Sequence, residues 1–106
     1  MAKYMLQVSY TAEGFKGLMK DGGSKRKAAA TALVESLGGK LESFYYAFGD
    51  CDVFTVVDMP DSATAAAGSL ILAGSGAVTT RTTPLLTVEE IDAAVKKSGS
   101  YTPPGK

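Results

Sequence analysis

Ser43-Phe44-Tyr45-Tyr46-Ala47-Phe48-Gly49-Asp50-Cys51-Asp52-Val53-Phe54-Thr55-Val56-Val57 decides the fold. Two runs of aromatic and β-branched residues flank Gly49-Asp50, which is the pattern of a β-hairpin. Gly49 and Asp50 are the structural turn, because a tight hairpin needs residues that tolerate positive φ. The first of these strands extends from Lys40 to Phe48. Its alternation separates Leu41, Ser43, Tyr45 and Ala47 from Glu42, Phe44, Tyr46 and Phe48. The second runs from Asp52 to Met59 and is nearly all apolar until Asp58.

Upstream, Tyr4 to Tyr10 alternates cleanly. Tyr4, Leu6, Val8 and Tyr10 share one face, and Met5, Gln7 and Ser9 share the other. Thr11 to Lys20 is ambiguous: Phe15, Leu18 and Met19 have helical spacing, but Gly14 and Gly17 weaken it. Gly22-Gly23 breaks that segment, and Ser24 is a suitable N-cap for a stronger helix. Ala29 or Ala30, Leu33, Val34 and Leu37 form its apolar stripe, with Gly38-Gly39 as the stop.

Downstream, Pro60-Asp61-Ser62 starts another helix, small-residued from Ala63 to Ala73 and ended by Gly74-Ser75-Gly76. Val78 to Leu86 reads as a threonine-rich strand, at a sheet edge because Pro84 cannot donate to a ladder. Thr87-Val88-Glu89-Glu90 has the capping-box spacing and opens a short helix. The order is strand, helix, hairpin, helix, strand, plus a terminal helix. It predicts an α+β, ferredoxin-like βαββαβ fold with a four-stranded antiparallel sheet and both main helices on one face. A single domain over 1–97 and a flexible tail over 98–106 are expected.

Composition narrows the function classes. Eleven basic and eleven acidic residues leave no charge excess to suggest nucleic acid or an anionic membrane as partner. No apolar run has the roughly 18 residues of a membrane span. The N-terminus lacks the pattern of a signal peptide, and Cys51 is the only cysteine, so the expected location is cytoplasmic. Histidine is absent, which excludes His-ligated haem and Ser-His or Cys-His nucleophiles. No cofactor and no metal site are expected.

Two helices cover only one face of such a sheet. The other face carries Met5, Gln7, Ser9, one set from the hairpin, and Thr79, Arg81 and Thr83, a mixture suited neither to solvent nor to a dry core. A second sheet from a symmetric partner would cover it and enclose a partly polar cavity. The alternative is an ordinary half-solvated sheet. The ligand-binding candidates are Arg81, Asp52, Tyr46, Gln7 and Ser9. Arg81 either binds a ligand carboxylate or phosphate, or pairs with Asp52 or Glu42. Asp52 either caps amides of the turn, pairs with Arg81, or transfers a proton. Tyr45 and Tyr46 face opposite ways, so at most one of them lines such a cavity. Cys51 reads as a small buried hydrophobe, with no histidine to activate it.

The chain resembles the GYD-domain family, small bacterial proteins of the dimeric α/β-barrel superfamily. The resemblance rests on Thr11 to Gly14, Arg26, Glu35 to Lys40, Gly49 to Asp52, Pro60-Asp61, Gly76 to Thr80 and Thr87 to Glu90. Cys51 stands where the family motif has its tyrosine. The resemblance implies the fold and a homodimer paired through its sheets, with a small molecule between them. By fold analogy alone it extends to a cofactor-independent oxygenase or isomerase. The competing expectation is a non-catalytic regulatory or scaffolding module, such as a nucleotide-sensing oligomer using Gly22 to Lys27.

Overall fold

The computed structural model describes all residues 1–106. The elements are β1 (Ala2–Tyr10), α1 (Ala12–Asp21), α2 (Gly23–Ser36), β2 (Lys40–Tyr46), β3 (Val53–Met59), α3 (Ser62–Gly74), β4 (Val78–Leu85) and α4 (Val88–Val95). The four strands form one antiparallel sheet in the order β2-β3-β1-β4. The expected ferredoxin-like α+β architecture is therefore present, with β4 at an edge where Pro84 costs no ladder bond.

Register fixes the faces. Tyr4, Leu6 and Val8 of β1 lie opposite Val57, Thr55 and Val53 of β3, and these six buried residues carry the helix-covered core with Met59 and Ala65. Each aliphatic side chain so buried contributes about 1.5–3 kcal/mol. Polar groups within the layer are satisfied internally. The Tyr4 hydroxyl and Ser62 Oγ lie 2.9 Å apart, and the Thr55 hydroxyl donates to the Ser43 carbonyl at 2.7 Å.

Three local readings are corrected. The ambiguous segment after β1 is a helix, because Thr11 accepts the Gly14 amide as N-cap. Gly14 itself lies where a Cβ would overlap the Ala77 carbonyl oxygen, so glycine there serves close approach rather than flexibility. The next helix is capped at Gly22 rather than Ser24. Strict alternation in β2 fails at an irregularity between Leu41 and Ser43, which puts Leu41 on the helix side together with Phe44 and Tyr46.

The hairpin connection also differs from the expected tight turn. Strands end at Tyr46 and restart at Val53, leaving a six-residue loop, 47–52, closed by Ala47 N–H donating to the Asp52 carbonyl. The one residue of this loop with positive φ is Phe48, at 57°, not Gly49 or Asp50. A bulky residue held there costs about 1–2 kcal/mol, which its ring contacts must offset.

The covered face is unevenly filled. Helix α2 lies over β2 and α3 lies over β4, while α2 contributes no fully buried residue. Helix α4 begins with the full capping box expected of Thr87 and Glu90, then stands almost free of the sheet and the other helices. The radius of gyration is 17.0 Å, against about 13 Å for a compact chain of this length. No helix is long and apolar enough to cross a membrane.

Candidate functional site

The uncovered sheet face is organised in bands. At one end Lys3 pairs with Glu42 and with Asp58, the latter at 3.0 Å. Across the middle, Met5 lies opposite both Val56 and Thr83. Next, Gln7 lies between Phe54 and Arg81, with Tyr45 beyond Phe54. Ser9 follows, opposite Thr79. The β2/β3 side of this face is thus apolar, and Tyr45 and Phe54 are exposed on it.

The β1/β4 side forms a polar pocket of about 260 Å³ lined by Gln7, Ser9, Asp50, Cys51, Thr79, Thr80 and Arg81. Arg81 makes no ion pair; Glu42, one of its expected partners, is held by Lys3. Of the five candidates, the structure brings Arg81, Gln7 and Ser9 together and separates two. Asp52 turns away to the end of β1, where its Oδ2 accepts the Tyr10 amide at 2.8 Å. It therefore caps a backbone amide, but one of β1 rather than the expected amides of the turn, and it does not pair with Arg81. Tyr46 lies on the helix side, where its hydroxyl donates to the Gly23 carbonyl at 2.9 Å; Tyr45 is the tyrosine on the uncovered face. Asp50 is the carboxylate that reaches the pocket. A tight turn would confine Asp50 to the connection; the six-residue loop instead brings it to the pocket. Cys51 is buried, its thiol directed at the Val53 carbonyl.

A second cavity, apolar and about 120 Å³, lies on the helix side under α2. Leu33, Val34, Leu41 and Phe44 line it with Tyr10, Arg26 and Thr55, the Thr55 hydroxyl being already committed to the Ser43 carbonyl. Successive rings run from one wall to the other. Tyr10 meets Phe15 at 5.4 Å, Phe15 meets Phe48 at 6.5 Å, Phe48 stacks on Tyr46 at 6.2 Å, and Tyr46 meets Phe44 edge-on at 5.2 Å. These contacts hold Phe48 in its left-handed conformation. Burial, with the Tyr46 hydroxyl beside it, pushes the Tyr10 phenol up to about 12 despite the nearby Arg26. The sequence signal for this cluster was the aromatic density of 44–48 together with Tyr10 and Phe15, which alternation alone does not join.

The Gly22 to Lys27 segment is a helix junction whose basic residues are matched in part by Asp21. Asp21 lies 3.7 Å from Lys25 and 3.5 Å from Arg26. No group of three or more Cys, Asp or Glu side chains is placed to hold a metal ion.

A split βαβ sheet with one covered and one mixed face defines a ferredoxin-like α+β domain. The GYD domain family model matches residues 4–95, and the chain belongs to that family. No curated protein and no solved structure matches it.

Proposed function

We propose that the protein is a small-molecule-binding homodimer, paired through its uncovered sheet faces and holding a small carboxylate or phosphate at Arg81. The observation that carries this reading is the polar pocket itself. It holds one cation without an ion pair, an opposed amide in Gln7, and the hydroxyls of Ser9 and Thr79. A guanidinium presents several N–H donors in a plane that matches an anionic oxygen pair. The apolar band of Met5, Val56, Phe54 and Tyr45 beside the pocket supports pairing with a second copy. So does the resemblance to sheet-paired barrels. Oxygenase or isomerase chemistry has no comparable support, because Asp50 is the pocket's only carboxylate, so the proposal is binding rather than turnover.

Thermal-shift measurements with small mono- and dicarboxylates, inorganic phosphate and nucleotides test it. At least one small anion should raise the melting temperature of the wild type and fail to do so for Arg81→Ala. A shift that Arg81→Ala leaves intact would remove Arg81 from the site.

A further inference from the structure

The apolar cavity under α2 lies on the opposite side of the sheet from Arg81 and is independent of the proposal above. Apolar cavities of about 150 Å³ remain dry and accept a benzene-sized guest. This one, at about 120 Å³, has room for a single ring or a short alkyl chain. Its floor is the buried sheet core of Leu6, Val8, Val53 and Val57, whereas α2 above it turns small residues, Ala29 and Ala30, toward the space and leaves Leu33 and Val34 only partly covered.

Its polar side has a definite charge. Asp21 is shared between Lys25 and Arg26, which leaves one net positive charge in that trio. Arg26 spends a single long contact, Nη1 to Asp21 at 3.5 Å, and retains its other guanidinium donors. Tyr10 keeps its proton under all ordinary conditions, so it can donate but not repel an anion. The rings of Phe15 and Phe48, both partly exposed, form the outer part of the aromatic arc between the two walls.

We propose that this cavity binds a small amphipathic carboxylate. Its ring or short chain lies against Leu33, Val34, Leu41 and Phe44, and its carboxylate is held by Arg26 and the Tyr10 hydroxyl. The site discriminates by size, since a second fused ring exceeds the space.

Methyl NMR of the full chain, titrated with benzoate, hexanoate and the neutral benzyl alcohol, tests this directly. Benzoate or hexanoate should shift the Leu33, Val34 and Leu41 methyl signals. Arg26→Met should weaken carboxylate binding by about tenfold or more, the loss of a charge-assisted contact, while benzyl alcohol binding stays unchanged. Ala30→Phe, which fills the space, should abolish binding of all three without loss of melting temperature. If Ala30→Phe fails to fold, Ala30→Leu takes its place and should weaken all three. The proposal is overturned if no probe moves the cavity methyls at millimolar concentration, if shifts survive the filling substitution, or if Arg26→Met leaves benzoate affinity unchanged. Perturbations confined to Gln7 and Arg81 would likewise overturn it, while supporting the sheet-face site.

Discussion

The Asp52 carboxylate accepts the backbone N–H of Tyr10 at 2.8 Å, joining the hairpin loop to the last residue of β1. The Asp52 backbone adds a second tie, its N–H donating to the Val8 carbonyl at 2.8 Å. The loop that carries Phe48 and Asp50 is thus positioned by the strand that carries Gln7, Ser9 and Tyr10. Replacing Asp52 by alanine leaves the Tyr10 amide without its charged acceptor. Asp52→Ala should destabilise the fold by about 1–3 kcal/mol in denaturant titration, with Asp52→Asn losing less.

Gly14 should tolerate no side chain. A Cβ would strike the Ala77 carbonyl, which also accepts the Thr11 N–H at 2.9 Å, so relief requires moving backbone. Gly14→Ala is expected to cost about 2–3 kcal/mol, whereas Gly17→Ala, with open space around it, should be neutral or stabilising. Paired thermal melts distinguish the two.

Tyr10 predicts an alkaline signature. Burial holds its phenol protonated up to about 12, against 10.0 for the free side chain. The folded state therefore gains stability that is complete below pH 10 and lost as pH rises from 10 toward about 12. Phenolate absorbance of the native protein should contain a late-titrating component that Tyr10→Phe removes. The variant should also lose part of the alkaline fall in stability.

The arm should be dispensable for folding. Leu86, Val88, Ile91 and Val95 are all exposed, and α4 makes almost no contact with the body. A chain ending at Leu86 should melt within a few degrees of the full-length protein.

Much of the fold was legible because it depends on alternation. The faces of β1 and β4 follow from parity, and parity alone places Gln7, Ser9, Thr79 and Arg81 together. The hairpin was less legible because one irregularity at Leu41/Ser43 shifts the phase of β2, and nothing in those residues announces it. The loop departs from the tight turn its residues suggest because Phe48, a residue that disfavours positive φ, takes the conformation expected of Gly49. It does so for ring contacts with Phe15 and Tyr46 that exist only in three dimensions. For the same reason the Tyr10–Arg26 cavity lay outside what local pattern could reveal, its walls coming from six separate elements.

Pairing through the uncovered face is the central claim, and Phe54 is its most direct probe, lying mid-face between Gln7 and Tyr45. Light scattering of the wild type and of Phe54→Arg measures it. The account predicts twice the 11.0 kDa chain mass for the wild type and the single-chain mass for a folded Phe54→Arg. A monomeric wild type, or a dimer that Phe54→Arg leaves intact, would contradict it.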